Sequence, residues 1–321
     1  MTQRQRIILT RLLPPRVEER ARRDYDAFTN SDDRLISTDE LLSLAEGAAA
    51  LLVSASDKLT RDVIGRMPES VKVISTYSTG TDHIDLEAAR EKGLRVTNTP
   101  HTVTVPTAEI AMLLLLAAAR RATEGQAMVR SRQWPGYAPT QLLGTGVVGK
   151  RLGIFGMGTI GRILAKMARG FDMEVHYHNR SRLPAEQEQG AVYHDTLDSL
   201  LAVSDFLSLN APSTAETKAI LNAETIEKLP QGAIVVNTAR GDLIDDDDLI
   251  AALKSGRIAA AGLDVYKGEP NMHEGFYGLE NAFLLPHLGS ATVEARDDTG
   301  YVALDNIDAV LAGREPPFPV V

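Results

Sequence analysis

The chain of 321 residues contains no cysteine, which excludes disulfides, thiol catalysis and a thiolate metal site. It has no long hydrophobic run. The longest apolar stretch, Ile110–Ala119, is ten residues, about half of what a bilayer-spanning helix needs. Positive charge is in deficit: 34 Lys and Arg stand against 43 Asp and Glu, a formal net charge of −9, with a pI near 5.3. That balance argues against a nucleic-acid partner or an anionic membrane surface. Solenoid repeats and low-complexity segments are absent as well. The opening Met-Thr-Gln-Arg-Gln-Arg-Ile-Ile-Leu-Thr is basic and then apolar, but its apolar part is too short for a signal-peptide core, and Arg11 and Pro14 follow at once. These absences lead to the expectation of a soluble, cytoplasmic protein. A hydrophobic share of 44% and a charged share of 24% are ordinary for globular chains, and the length suffices for two domains.

What is present begins with a rhythm. The β-rich runs Ile7–Leu9, Ala50–Val53, Val71–Ser75 and Arg95–Thr97 alternate with helical patterns at Thr38–Ala45, Thr60–Arg66 and Leu86–Lys92, which predicts a parallel sheet flanked by helices. A helix dense in Ala and Leu is predicted over Thr104–Arg132, broken by Gln133-Trp134-Pro135-Gly136-Tyr137. From Arg151 the rhythm restarts, with further strands at Phe206–Leu209, Ala233–Asn237, Ala259–Asp264 and Phe283–Leu285. Helices fall at Thr196–Ala202, Ala223–Lys228 and Asp246–Ser255. A six-stranded second sheet is then complete at Leu285, so the last helix, Ala291–Leu311, belongs back on the first domain. The expectation is one domain inserted into another: residues 1–101 and 288–321 outside, 102–287 inside. The acidic run Asp245–Asp248 invites a metal site. Four consecutive carboxylates cannot converge on one point, so Asp245 is read as a helix cap, its neighbours as complements to the helix dipole, and no metal is expected.

The most specific motif stands in mid-chain. A short apolar strand from Arg151 runs into Gly156-Met157-Gly158-Thr159-Ile160-Gly161 and on into a helix with Ile163, Leu164 and Met167 on one face. In that setting GxGxxG is the dinucleotide fingerprint. Gly156 permits the tight turn, Gly158 lets backbone approach a pyrophosphate, and Gly161 lets helix and strand pack closely. The helix N-terminus, at Thr159 and Ile160, offers unpaired N–H groups to phosphate. The second strand ends at Asn179-Arg180-Ser181-Arg182, with no carboxylate for a ribose 2′-hydroxyl. Asn179 and Ser181 can donate to a 2′-phosphate instead, and Arg180 can pair with it or lie over the adenine. The reading is NADP(H) in preference to NAD(H), which remains possible.

Three later segments end strands with reactive residues: Arg240 after Val235-Val236-Asn237, Glu269 in the loop after Gly262-Leu263-Asp264, and His287 in Leu285-Pro286-His287-Leu288-Gly289-Ser290. Ligands of open α/β sheets bind at such carboxyl ends. Arg240 can fork onto a carboxylate and carbonyl oxygen. His287 can give a proton to a developing alkoxide, with Glu269 orienting it and raising its pKa.

With these segments, the Ser75–Asp85 loop and Thr107-Ala108-Glu109, the chain resembles the D-2-hydroxyacid dehydrogenase family along nearly its whole length, in particular its glyoxylate/hydroxypyruvate reductase and glycerate dehydrogenase branch. The resemblance implies an α/β protein of two doubly wound parallel-sheet domains, a Rossmann cofactor domain inserted into a flavodoxin-like substrate domain. It implies an NADPH-preferring reductase that transfers hydride to glyoxylate or hydroxypyruvate, giving glycolate or D-glycerate. By the same resemblance the Thr79 and Gly80 amides bind the substrate carboxylate and Ser290 makes a weaker substrate contact. Thr107, Thr238 and Ala239 join the cofactor set, and Asp264 meets the nicotinamide carboxamide. The Thr104–Arg132 helix, too apolar to lie alone on a surface, is expected in a homodimer interface. The chain departs from the common family pattern at Thr79 and Thr81, at His101 and at Asn210. The alternatives are a D-lactate-type reductase and, in a different class, a nicotinamide-nucleotide-sensing binding protein of the same fold.

Overall fold

Short β-rich stretches alternate with helices whose ends are marked by capping residues, and in the computed structural model, which describes residues 4–321, they build two parallel sheets. The chain divides into two units. One joins the residues up to Val103 with Ala291–Val321, and the other is the continuous stretch Thr104–Ser290.

The first unit opens with β1 (Arg6–Leu9), α1 (Pro15–Asp24), β2 (Asp26–Thr29), α2 (Thr38–Ala45), β3 (Ala50–Val53), α3 (Arg61–Arg66), β4 (Val73–Thr76), α4 (Leu86–Lys92) and β5 (Arg95–Thr97). Its strand order is β2-β1-β3-β4-β5, parallel throughout. Ser37, Thr60 and Asp85 each accept a backbone N–H at a helix start, satisfying donors that the first turn leaves unpaired. The α1–β2 pair was not among the expected elements. Only Val17 and Ala21 of α1 supply buried apolar contact, and β2 is a half-exposed edge strand.

The second unit runs α5 (Thr104–Ala119), α6 (Ala122–Arg130), β6 (Arg151–Phe155), α7 (Thr159–Arg169), β7 (Glu174–His178), α8 (Ala185–Glu188), β8 (Val192–Tyr193), α9 (Leu197–Leu201), β9 (Phe206–Leu209), α10 (Ala223–Ile226), β10 (Ala233–Asn237), α11 (Asp246–Ser255), β11 (Ile258–Leu263) and β12 (Ala282–Leu284). The order is β8-β7-β6-β9-β10-β11-β12, again parallel. This is seven strands where six were expected, because the two-residue β8 adds to the outer edge of β7. Both faces are buried, as parallel sheets require. Leu152, Ile154, Ile234 and Val236 point into one core, while Phe155, Leu207, Ala233 and Val235 point into the other. The order reverses between β6 and β9, so the ligand crevice of such a sheet lies at their carboxyl ends.

The predicted Thr104–Arg132 helix is two helices. Arg121 adopts φ +52°, and Thr145 N donates to Ala119 O at 2.8 Å, so the returning chain takes a carbonyl that α5 would need to continue. A side chain at Gly144 would collide with that same carbonyl. The apolar surface of α5 is largely spent inside its own unit: Ala111, Leu114, Leu115 and Ala118 are buried with strands β6 and β10. Val105 and Leu113 of α5 and Val129 of α6 remain exposed, as do Trp134, Tyr137 and Leu143 beyond them.

The final helix, α12 (Val293–Leu311), starts two residues later than expected behind the Thr292 cap. Its Ala303, Leu304 and Ile307 pack with Ile7, Leu9, Leu52 and Val73 of the first sheet and with Val17 of α1. No helix among the described residues is long and apolar enough to cross a membrane.

Candidate active site

The carboxyl ends of β10, β11 and β12 deliver Arg240, Asp264 and His287 within the second unit. Asp264 follows β11 directly and is 1% exposed. Its backbone carbonyl accepts from His287 N at 2.9 Å, and its two carboxylate oxygens accept from Leu288 N at 2.6 Å and Gly289 N at 2.8 Å. Thr107 of α5 donates from Oγ1 to Gly289 O at 3.0 Å. His287 sits at φ +56°, a left-handed conformation that a non-glycine residue keeps only when its surroundings over-determine it. The Asp264 clamp supplies that determination. Burial pushes the Asp264 carboxyl up, against the two amides that favour its charged form.

Glu269 fixes the imidazole. One carboxylate oxygen accepts from Tyr266 N at 2.7 Å and the other lies 2.7 Å from His287 Nδ1. Nε2, on a side chain that is 51% exposed, makes no hydrogen bond among the described residues. The Glu269 contact raises the His287 pKa above the usual imidazole value and outweighs burial, which lowers it. Burial alone would raise Glu269, but hydrogen bonds from His287 and the Tyr266 amide prevail and hold its carboxyl below the usual range. The contact thus favours the charged form of each partner, imidazolium and carboxylate, over its neutral form.

Arg240 follows β10. Its backbone is bracketed by Asn237, whose Nδ2 donates to Arg240 O at 2.9 Å and whose Oδ1 accepts from Ala239 N at 3.0 Å. Its Nη1 donates to Ala239 O at 2.7 Å. The next residue, Gly241, passes so close to the Tyr266–Lys267 backbone that any side chain would collide with it. That approach brings the arginine loop beside the glutamate loop. The guanidinium charge helps lower Glu269 and opposes protonation of His287.

The glycine turn lies at the switch point, between β6 and α7. A Cβ on Gly156, at φ +94°, would stand 2.6 Å from Ala211 N, and one on Gly161 would stand 2.8 Å from Gly156 O. Both glycines are needed by the protein's own packing. Gly158 is different: it caps α7 with no side-chain hydrogen bond, and a Cβ there would meet nothing within 4 Å. Its openness fits a group that approaches from outside, as a pyrophosphate would at this helix start. Two buried polar atoms without a partner, Asn210 Oδ1 and Thr238 Oγ1, follow β9 and β10. They offer unspent hydrogen-bonding capacity on the same carboxyl edge. The residues present thus fit a dinucleotide cofactor.

At the tip of β7, Asn179 Oδ1 accepts from Met157 N at 2.6 Å, so this side chain braces the glycine turn while its amide donors remain. Arg180 and Ser181 are exposed. Arg182 is engaged, held by Glu188 at 2.8 Å and lying over the Tyr193 ring. In the first unit, the loop after β4 carries Thr79, exposed, and Gly80, half-buried. Ser290 closes the His287 loop and Ala239 precedes Arg240. Asp245 caps α11 by accepting from Asp248 N at 3.2 Å. The clamp role of Asp264, the Asn237 bracket and the Gly241 approach were not read from the sequence. A glycine next to an arginine at a strand end was the one available signal.

Residues 112–289 match the family model described as D-isomer specific 2-hydroxyacid dehydrogenase, NAD binding domain. The chain is 52% identical to a glycerate dehydrogenase of Hyphomicrobium methylovorum over 317 residues, covering 98% of each. It is 40% identical to a glyoxylate reductase of Thermococcus litoralis over 317 residues, 97% of this chain and 95% of that one. The solved structure of an NADPH-dependent glyoxylate/hydroxypyruvate reductase from Sinorhizobium meliloti, in complex with NADP and malonate, is similar with a TM-score of 0.87 at 30% identity, covering 99% of this chain and 97% of that one.

Proposed function

The chain belongs to the D-isomer-specific 2-hydroxyacid dehydrogenases, and from that premise we propose that it reduces glyoxylate and hydroxypyruvate to glycolate and D-glycerate with NADPH as donor. The observation that carries this reading is the 2.7 Å contact between His287 Nδ1 and Glu269, which favours the protonated imidazole on the sheet edge that also carries Arg240. A 2-keto acid presents an anion beside a carbonyl. Its reduction needs donors for the carboxylate, polarisation of the carbonyl, and an acid for the oxygen. When bound, a reduced nicotinamide would supply the hydride that the carbonyl carbon needs. Arg240 forks onto the carboxylate and the carbonyl oxygen, drawing electron density toward that oxygen. His287 gives its Nε2 proton to the oxygen as negative charge develops there, and Glu269 stabilises the imidazolium until that moment. The Thr79 and Gly80 amides hold the carboxylate.

Asp264, with both oxygens on backbone amides, acts first as the anchor of the His287 loop and meets the carboxamide with its remaining lone pairs. The preference for NADPH rests on Asn179, Arg180 and Ser181, a donor-bearing tip that lacks the carboxylate a 2′-hydroxyl would favour. The relative from Sinorhizobium meliloti, solved with NADP, supports the same choice. The exposed apolar residues Val129, Trp134, Tyr137 and Leu143 support a homodimer in which a second copy covers them.

The test is steady-state turnover with NADPH and with NADH on glyoxylate, hydroxypyruvate, pyruvate and phenylpyruvate. The reading expects the highest kcat/KM for one of the first two acids with NADPH. A clear preference for NADH would end the cofactor assignment, and a preference for phenylpyruvate or pyruvate would end the substrate assignment. Sedimentation at micromolar concentration should give twice the 34.8 kDa chain mass, and a monomer would refute the dimer.

A further inference from the structure

Arg240, Glu269 and His287 stand on three loops, and one residue touches the supports of all three. Gly241, next to Arg240, lies so close to Tyr266 that a Cβ on it would stand 2.0 Å from Tyr266 C. Tyr266 N donates to Glu269 Oε1 at 2.7 Å. The Tyr266 hydroxyl reaches the third loop, donating to Leu285 O at 2.9 Å and to Leu263 O at 3.0 Å. One proton is thus shared between two carbonyls, and their needs differ. Leu263 O already accepts from Leu285 N at 2.8 Å, whereas Leu285 O accepts from no other donor among the described residues.

Leu285 stands two residues before His287, with Pro286 between them. The Leu285–Pro286 peptide is planar, so holding its oxygen holds its plane. Proline then locks its own φ near about −65° and passes that orientation onward. Beyond the proline, His287 N is held by Asp264 O at 2.9 Å. Both peptides that flank Pro286 are thereby fixed at the entry to the left-handed His287 backbone. The tyrosine ring is itself held, packing on Phe276 with centroids 6.4 Å apart, and Phe276 is buried. Burial, followed by the Asp264 charge, pushes the phenol pKa up, so the group stays a neutral donor while His287 titrates.

We propose that Tyr266 is a positioning residue for the proton donor: its hydroxyl sets the His287 loop opposite the carboxylate that its own amide holds. This role rests on the reading of His287 as the acid, given above. A phenylalanine at 266 keeps the ring and the amide contact with Glu269 but releases the Leu285 carbonyl. The imidazole then drifts from a carboxylate that stays in place. The other charges that act on the imidazole, those of Asp264 and Arg240, are untouched by the change.

The experiment compares wild type, Tyr266→Phe and Tyr266→p-aminophenylalanine, which keeps a donor in place of the hydroxyl. It reads kcat and KM for hydroxypyruvate across pH, Kd of NADPH, Tm, and the NMR titration of the His287 ring, identified by its absence in His287→Asn. Losing one such hydrogen bond should lower kcat about 3- to 10-fold in Tyr266→Phe. The high-pH limb of kcat/KM and the ring titration should move together to lower pH by about 0.3 to 1 pH unit. KM and NADPH affinity should stay near wild type, and the amino variant should recover most of the shift. An unmoved limb and titration in folded Tyr266→Phe overturn the proposal, as does a loss of NADPH affinity in step with kcat. A Tyr266→Phe protein that does not fold overturns it too, because the hydroxyl would then serve the unit as a whole. A wild-type protein that binds NADPH but reduces no 2-keto acid overturns the functional reading and the acid role with it. The ring titration separates that failure from one in which Tyr266 does not set the Glu269 contact.

Discussion

In the Thr104–Ser290 unit the residues around His287 are held by two carboxylates, those of Asp264 and Glu269, whereas the Ser78–Gly80 loop of the other unit is held directly by a backbone amide, a carboxamide and a hydroxyl. One loop is built around a group that must gain and lose a proton, and its supports are charged because they have to bias that equilibrium. The other has only to present two N–H groups at a constant angle. Its direct supports are neutral, and the His83 imidazole lies 2.9 Å from Thr76 Oγ1, behind Ser78. The pH dependence of the reaction should accordingly originate in the second unit, while carboxylate affinity should depend on the geometry of the first.

The sharpest way to break the comparison is to remove the titrating group. His287→Asn should lower kcat by about 10²–10⁴-fold while Tm stays near wild type, since the ring is half exposed. Turnover near wild type would show the proton comes from elsewhere. Arg240→Lys keeps the charge but loses the planar fork. With hydrogen bonds to charged groups worth about 1.5–3 kcal/mol, kcat/KM should fall roughly 10- to 100-fold, measured with the same keto acid. Asp264→Asn turns one acceptor into a donor facing a buried amide, at a cost of about 1–3 kcal/mol. Urea unfolding should report that loss, and an unchanged midpoint would mean the clamp does not hold the loop. Smallest is Asn98→Ala, which removes the hydrogen bond from Asn98 Nδ2 to the Thr79 carbonyl and should raise KM a few-fold while leaving the shape of the pH profile alone.

Much of this arrangement was legible in the sequence because it depends on local pattern. The runs that become β3, β9 and β10 are almost wholly apolar and buried along their length, as strands covered on both faces must be. The glycine turn needs Gly156 and Gly161 for steric reasons within the fold, while Gly158 leaves open space at the helix start. Arg240, Glu269 and His287 each stand just past a strand end, where chain order alone puts them on one edge of the sheet. What could not be read depends on partners distant in the chain. The break at Arg121 is made by Thr145 returning to Ala119. α1 hides among its arginines and has few apolar residues, and β8 is too short to leave a period. The Asp264 clamp and the hydrogen bond from Asn98 to the Thr79 carbonyl are contacts between residues roughly twenty positions or more apart, with no spacing rule to announce them. The hydrophobic content of α5 likewise shows that the helix is covered without showing by what.

The central claim is that Glu269 keeps His287 protonated so that it can deliver a proton to the substrate oxygen. Reduction requires the imidazolium, so activity should be full at pH values below the His287 pKa and decline as pH rises through it. Because Glu269 raises that pKa, the wild-type decline should lie above the ordinary imidazole value of about 6.5. The most direct test is kcat/KM for hydroxypyruvate reduction as a function of pH in wild type and Glu269→Gln. The account predicts that the high-pH limb shifts to lower pH in the variant, because the largest influence raising the imidazole pKa is gone. A limb that stays in place, or a wild-type profile with no such limb, would contradict it.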